Sequence, residues 1–210
     1  MQPLPTLETE RLVLRPLAPE DATAVRALGG DRRVAEMTLL PHPFGEEEVR
    51  RWVEGRLEWA AQGKSRPFSV LLREDGAPVG HAGLLLDWDN EKAGLYYWMG
   101  VPYWGCGYAT EAARELVRHA FEDLGLGRVY ADHVARNPAS GRVLQKVGMS
   151  YEGCRRRDLK KWDRYEDLAL YGVLAEEWYS AAATSLGDMK EFQNVAARGS
   201  HHRLLDFGHP

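Results

Sequence analysis

The sequence predicts a single-domain mixed α/β (α+β) fold, in which a mostly antiparallel, twisted central sheet of about seven strands is flanked by helices. Three observations predict it. Segments with two-residue alternation outnumber the segments with helical spacing. Three of the alternating segments follow one another through short polar turns. A long amphipathic helix then separates them from the remaining strands. At 210 residues the chain can bury a substantial core in one domain.

The N-terminal part predicts one strand and two helices. Alternating apolar residues in "ERLVLRPL" are typical of a strand. Pro19 suits the first position of a helix, and Gly29 ends the apolar spacing that follows. A second helix is predicted over residues 46–61, where apolar residues recur three and four apart and three glutamates occupy the positive end of the helix.

The middle and the end of the domain predict six more strands. The segments "PFSVLLRED", "VGHAGLLLDW" and "LYYWMGV" are separated by polar turns, which indicates three antiparallel strands joined by hairpins. Further along, "GRVYADHVA", "MSYEGCRRR" and "RYEDLALYGVL" predict strands, with a helix over "NPASGRVLQKVG". From about residue 180 the regular spacing is lost. We expect a domain at residues 7–179 and a C-terminal tail at residues 180–210 that is either flexible or a docking segment.

Composition and charge argue against several classes of protein. The formal net charge is -4, from 27 basic and 31 acidic residues, whereas nucleic-acid-binding domains are usually basic. No stretch approaches the roughly 20 apolar residues of a membrane-spanning helix, and the N-terminus lacks the apolar core of a signal peptide. Cys106 and Cys154 are too few for a disulfide framework. We therefore expect a cytoplasmic protein that binds neither nucleic acid nor membrane.

A glycine-rich turn, "YWGCGY", directly precedes the longest amphipathic helix. A helix start presents up to four unpaired backbone N–H groups, and glycine lets the backbone approach a bulky anion closely. The arrangement predicts a phosphate cradle, although a helix entry that merely needs glycine has the same pattern. The turn lacks the Gly-Lys-Ser/Thr of a P-loop, and Thr110 occupies the third glycine position of the dinucleotide fingerprint.

Three motifs in this chain resemble those of a known family. The stretch "YYWMGVPYWGCGYATEAARELV" resembles the pyrophosphate-binding motif of GNAT N-acetyltransferases, Gln/Arg-x-x-Gly-x-Gly/Ala, with Gly107 and Ala109 matching and Trp104 replacing the first residue. The segments "LETERLVLRPLAPEDA" and "NPASGRVLQKVGMSYEG" resemble motifs of the branch that acetylates N-terminal α-amines of ribosomal proteins. The resemblance covers residues 7–179.

The resemblance implies a GNAT-like fold and acetyl-CoA as co-substrate. No metal is expected, because the histidines lack the partner spacing of a metal site. In this fold the strand at 95–101 separates from the parallel strand at 129–135, and the pantetheine arm lies in the gap. Backbone groups of Met99 and Val101 would then pair with pantetheine amides, and N–H groups of the glycine turn would hold the pyrophosphate. The implied cofactor-binding residues are Met99, Val101, Trp104, Gly105, Cys106, Gly107, Tyr108, Ala109, Thr110, Asn137 and Ser140.

Two positions that carry catalytic groups in many relatives lack them here. The strand carboxylate that serves as base falls on Gly94, and the tyrosine that protonates the leaving thiolate falls on Leu144. The resemblance implies Ser140 as the acid. We take Asp158 as the replacement base, with Glu91 and Asp89 as alternatives. Tyr97 is expected to line the acceptor cleft.

These residues lead to one functional hypothesis and two alternatives. The chain is expected to transfer an acetyl group by direct attack to a primary amine, with a protein or peptide N-terminal α-amine as first choice. A small-molecule amine, such as an antibiotic or polyamine, is one alternative, and acidic residues lining the cleft would be its sign. A non-catalytic module that senses acyl-CoA is the other. Transfer through Cys106 is disfavoured because no histidine lies nearby in the sequence. The sequence leaves the oligomeric state open, with a homodimer as one alternative.

Overall fold

A computed structural model of the chain describes residues 4–181, and its described part contains one sheet of eight strands. The strands are β1 (Leu7–Glu8), β2 (Leu12–Pro16), β3 (Ser65–Leu72), β4 (Pro78–Asp87), β5 (Lys92–Met99), β6 (Arg128–Val134), β7 (Ser150–Lys161) and β8 (Arg164–Leu174). Their order is β1-β2-β3-β4-β5-β6-β8-β7, and all neighbours are antiparallel except β5 and β6. The predicted fold class is confirmed. The predicted seven strands omit β1, which at two residues is too short to show alternation.

Within residues 4–174, five α-helices accompany the sheet. They are α1 (Ala22–Gly29), α2 (Arg32–Glu36), α3 (Glu46–Ala61), α4 (Tyr108–Arg118) and α5 (Pro138–Lys146), and α4 continues into a π-turn at His119–Asp123. The sequence did not predict α2, which has five residues and is signalled only by the Asp31 cap that accepts from the Arg33 N–H. No helix in the described part is both long and apolar enough to cross a membrane.

The compact unit that contains every described strand ends at Leu174. Residues 175–181, which follow it, are helical. Of the tail predicted at residues 180–210, all but the first two residues lie outside the described part of the chain.

The helices cover both faces of the sheet. Trp98 of β5 belongs to an apolar cluster with Val25 of α1 and Val53 of α3, so these helices pack on its face. Its neighbour Tyr97 points to the other face, because side chains alternate along a strand, and it contacts α5. The buried stripe of α4 (Ala112, Ala113, Leu116 and Val117) packs on that second face.

The parallel strands β5 and β6 pair over only three positions. The pairs are Lys92–Arg128, Ala93–Val129 and Gly94–Tyr130, and both strands continue beyond the last pair without bonding to each other. The predicted separation of these strands is thereby confirmed. The predicted bounds 95–101 are wrong, since β5 begins at Lys92 and ends at Met99. Val101 instead begins a 3-10 turn that contains Pro102, whose nitrogen cannot donate to a ladder.

Candidate active site

The glycine turn presents a row of free backbone donors. Gly105 and Gly107 have φ values of +79° and +84°, a left-handed conformation that glycine adopts without a Cβ clash. None of the N–H groups from Gly105 to Thr110 has an acceptor within the described residues, and the first bond into α4 runs from the Glu111 N–H to the Gly107 carbonyl at 3.1 Å. A Cβ at Gly105 would meet nothing within 4 Å, so the turn is open. Such a row fits the oxygens of a diphosphate.

Trp104 closes the end of β5 instead of contributing a polar side chain. Its indole Nε1 donates to the Met99 carbonyl at 2.8 Å, and the ring is 47% exposed. Because the Gly100 N–H donates to the Val79 carbonyl, Met99 and Gly80 form a non-hydrogen-bonded pair, and the Met99 backbone groups point away from β4 towards the gap. The Met99 carbonyl is thus engaged, and its N–H faces the gap. Val101 is half-buried against the apolar cluster of α1 and α3.

The start of α5 brings two hydroxyl groups together. Asn137 caps the helix, its Oδ1 accepting from the Ser140 N–H at 3.4 Å. The Ser140 Oγ lies 2.9 Å from the Tyr97 hydroxyl, which also donates to the Ser140 carbonyl at 3.2 Å. Burial raises the pKa of the Tyr97 phenol, so it stays protonated at neutral pH. Tyr97 is predicted to line the acceptor cleft, and its phenol contacts α5 at Ser140. This contact lies one helical turn before the fully buried Leu144.

A carboxylate that the sequence analysis did not single out lies on the opposite face. Asp132 of β6 follows the last β5–β6 pair by two residues. Its neighbour His133 faces α5, where its Nε2 is 2.9 Å from the position of a Cβ on Gly141, so Asp132 points to the face of α1 and α3. Partial desolvation raises the pKa of Asp132, whose side chain is still 40% exposed; Arg155 opposes the rise, and the charge of Asp158 adds to it.

Arg155 links the predicted base to this residue. Its Nη2 lies 3.0 Å from Asp132 Oδ2, and its Nη1 lies 3.1 Å from Asp158 Oδ2. The two carboxylates are similarly exposed, at 40% for Asp132 and 36% for Asp158, but Asp158 lies on the β7 hairpin, whereas Asp132 lies on a strand that borders the gap. A carboxylate in the interior of β6, just past the point where the strands separate, was the signal available in the sequence.

The alternative bases lie at the closed end of the gap. Asp89 and Glu91 are exposed in the turn before β5, and the Glu91 carbonyl accepts from the Gly127 N–H at 2.8 Å, where β5 and β6 are still paired. A Cβ on Gly94 would lie 3.1 Å from the Tyr130 hydroxyl oxygen, so a carboxylate there would require the Tyr130 ring to shift.

The remaining candidate groups have no geometry for further chemistry. Cys106 is exposed, with its Sγ 3.7 Å from the Trp104 carbonyl. Burial lowers the pKa of His81 to about 3, which keeps its ring neutral. Across the described ranges, no three His, Cys, Asp or Glu side chains come together in a way that could hold a metal ion.

A cavity of about 480 Å³ lies beside the residues that follow β6. It is lined by Arg32, Glu36, His42, Arg136, Lys161, Trp162, Asp163, Arg164 and Glu166. Glu166 is almost fully buried and pairs with Arg136 Nε at 2.9 Å and with Arg164 Nε at 3.2 Å. Glu36 also faces Arg136, at 3.6 Å. Two of its three carboxylates are therefore already paired with arginines, and its four Arg and Lys side chains outnumber them.

Comparisons with known proteins place these features in a family. Residues 11–150 match the acetyltransferase (GNAT) domain model. The chain is 36% identical over 174 residues to YdaF of Bacillus subtilis, provisionally named as a ribosomal N-acetyltransferase, with 80% of this chain and 94% of that protein covered. It is 30% identical over 210 residues to the FsC-acetyl coenzyme A-N(2)-transacetylase of Aspergillus fumigatus, with 92% and 86% covered.

Solved structures share the fold at lower identity. RimL, a ribosomal L7/L12 α-N-protein acetyltransferase in complex with coenzyme A, superposes with a TM-score of 0.74 at 18% identity, covering 81% of this chain and 98% of that chain. A chimera of the spermidine N-acetyltransferase SpeG from Vibrio cholerae and hSSAT gives a TM-score of 0.70 at 18% identity, with 80% and 98% covered.

Proposed function

Since this chain belongs to the GNAT acetyltransferase family and is an N-acetyltransferase, we propose that it transfers the acetyl group of acetyl-CoA by direct attack to the α-amine of a protein or peptide N-terminus. The observation that carries the proposal is the position of the glycine turn. Its free N–H groups follow the end of β5, the strand whose separation from β6 opens the gap in the sheet.

The donor half of the proposal uses backbone groups of this chain. N–H groups from Gly105 to Thr110 would hold the diphosphate, and the Met99 N–H would pair with the pantetheine arm. Acetyl-CoA supplies the thioester carbonyl that the amine attacks. The Aspergillus relative named for acetyl coenzyme A supports this choice of donor.

The proton transfers use groups from both faces of the sheet. We assign the acid role to Ser140 Oγ–H, which stands on the α5 side and is oriented by the Tyr97 phenol. The base role goes to Asp132, on the side of α1 and α3, from which the amine would approach the gap. Asp132 replaces Asp158 as base because it lies on the strand that borders the gap, and Arg155 holds both carboxylates.

An α-amine suits a site with few bases. Its pKa is near 8, so roughly a fifth is already neutral at pH 7.4, whereas about one lysine side chain in a thousand is neutral. The name of YdaF supports the same class of acceptor. The cavity beside β6 is large enough for the residues that follow a peptide N-terminus, and it carries polar groups of both signs.

A small polycationic amine is the second candidate, favoured by the likeness in fold to a spermidine acetyltransferase. Such a substrate needs unpaired carboxylates around its charges. The cations that line the cavity outnumber its carboxylates, and Glu166 is already neutralised by Arg136 and Arg164. This charge balance supports a peptide over a polyamine.

A thiol-release assay tests the proposal. Acetyl-CoA is incubated with the full chain and one amine at a time: peptides with a free N-terminus, the same peptides with a blocked N-terminus and an internal lysine, spermidine, and an aminoglycoside. The proposal requires release with the free peptides and little with the blocked ones. Release with spermidine alone would favour the small-amine alternative. Binding of CoA in calorimetry without release for any amine would favour a non-catalytic sensor.

A further inference from the structure

The carboxylate of Glu111 stands in the first turn of α4 and is held by the N-terminal segment of the chain. Its Oε1 accepts from the Thr9 hydroxyl at 2.6 Å and from the Arg11 N–H at 2.8 Å. Its Oε2 accepts from Arg11 Nε at 2.7 Å and lies 2.6 Å from Arg11 Nη2. Glu111 is 16% exposed and Arg11 is 46% exposed, so this ion pair is partly shielded from water.

The same guanidinium also reaches the glycine turn. Arg11 Nη1 donates to the Cys106 carbonyl at 3.0 Å, and the group lies over the Tyr108 ring at 4.9 Å. Its Nη2 is 3.3 Å from the position of a Cβ on Gly107. Because the carbonyl and the next N–H of a trans peptide point in opposite directions, this bond turns the Gly107 N–H away from Arg11.

Glu111 creates an electrostatic problem for an anion at this helix start. Burial alone would raise the pKa of Glu111, but the hydrogen bonds from Thr9 and Arg11 outweigh it and keep the pKa below its usual value. A carboxylate that stays ionised one turn from the free N–H groups would repel a diphosphate bound there. The positive charge of Arg11 lies between this carboxylate and the turn.

We propose that Arg11 is a positioning residue for the donor, which screens the Glu111 carboxylate from the diphosphate bound at the turn. The inference rests on the proposed binding of acetyl-CoA at this turn. Thr9 and Arg11 belong to the N-terminal motif "LETERLVLRPLAPEDA". Because both bind Glu111 of α4, that motif contributes to the site formed by the glycine turn. The effect is one of charge, so it acts only on donors that carry the diphosphate.

Calorimetry with CoA on the full chain tests the inference without an acceptor. Arg11→Ala should weaken CoA binding about tenfold, as expected for an unscreened charge a few ångströms away. In the Glu111→Gln background the same change should cost less than about threefold, because the repelling charge is gone. Raising the salt concentration should shrink the loss in the single variant. Arg11→Lys, which keeps the charge, should retain most of the affinity, and thermal melting checks that each variant is folded.

Arg50→Ala on α3 is the control. It also removes one positive charge, from exposed ion pairs with Glu47 and Glu54, and should leave CoA binding unchanged. If the wild type binds CoA and Arg11→Ala binds it as tightly, this inference is wrong and the proposed function stands. The inference is equally wrong if Arg11→Ala costs as much in the Glu111→Gln background, since the loss would then not depend on the charge of Glu111. If the wild type gives no heat with CoA, the proposed function fails together with the inference.

Discussion

Ser140 and Asp132 approach the gap between β5 and β6 from opposite faces of the sheet. Ser140 is fixed by the Asn137 cap and by the Tyr97 phenol, while Asp132 is fixed by Arg155. Separate faces would suit the two proposed proton transfers, because Asp132 would receive a proton on the side of α1 and α3 and Ser140 would supply one on the side of α5. Each residue can therefore be tested without disturbing the other.

Ser140→Ala should lower kcat by about a hundredfold, the size of effect usual for a general acid, without changing CoA affinity. Tyr97→Phe should lower kcat less, because the phenol only orients the Ser140 hydroxyl. Since Tyr97 acts through Ser140, the double variant should be no slower than Ser140→Ala alone. Steady-state kinetics and CoA calorimetry measure these effects. Tyr96→Phe is the control, because the Tyr96 side chain points to the other face of the sheet and does not contact Ser140. An unaltered kcat in Ser140→Ala would remove the acid assignment.

Asp132→Asn should lower kcat/KM at least tenfold at neutral pH and flatten the acidic limb of the pH profile. If Asp132 is the base, this limb in the wild type reflects its protonation, and partial desolvation raises the pKa of its carboxyl. The melting temperature of the variant should change little, because Asp132 is 40% exposed and water screens its ion pair with Arg155. A larger loss of activity in Asp158→Asn would return the base role to Asp158.

At the scale of elements, long regular segments follow from the sequence and the contacts between them do not. The spacing of α3 gives its bounds, residues 46–61, as the structure has them. By contrast, β1 and α2 are too short to show a period. The Tyr97–Ser140 contact joins positions 43 residues apart, and the Arg11–Glu111 pair joins positions 100 apart. Such contacts depend on how strands pair and which face each residue takes, which spacing along one segment does not fix.

The glycine turn yields a prediction at this scale. Gly107→Ala places a Cβ on a residue with φ of +84° and at 3.3 Å from Arg11 Nη2. The left-handed conformation should cost about 1 kcal/mol of the free energy of unfolding, and a relaxed turn would misdirect the N–H groups and weaken CoA binding. Gly125→Ala is the matched control, with φ of +68° and open space around the new Cβ. It should lose similar stability and no CoA affinity. Equal loss of affinity in both variants would contradict a specific role for the turn.

At the scale of the whole molecule, a buried carboxylate ties the first helical layer to the sheet. Asp21 stands in the 3-10 turn before α1 and is 9% exposed. It accepts from Arg15 Nη2 of β2 at 2.5 Å, from the Ala18 N–H at 2.8 Å and from the Ser69 hydroxyl of β3 at 2.7 Å. The three donors fix α1 against two strands, and with it the face of the sheet from which the acceptor would enter.

Stability against acid should therefore depend on Asp21. Burial alone would raise the pKa of Asp21, but the bonds from Arg15, Ala18 and Ser69 lower it overall, so folding favours the ionised form. Its contribution is complete above the unfolded carboxyl pKa, near 3.9, and is lost as the pH falls through the lower folded value. Asp21→Asn should cost about 2 kcal/mol of the free energy of unfolding at pH 7, because it leaves buried donors without their charged acceptor. The difference from the wild type should narrow below about pH 4. Denaturant melts at several pH values measure both effects. Glu20→Gln, at an exposed neighbour in the same turn, should change neither quantity. If the difference in unfolding free energy between Asp21→Asn and the wild type stayed constant down to pH 2, the charge of Asp21 would not contribute to stability.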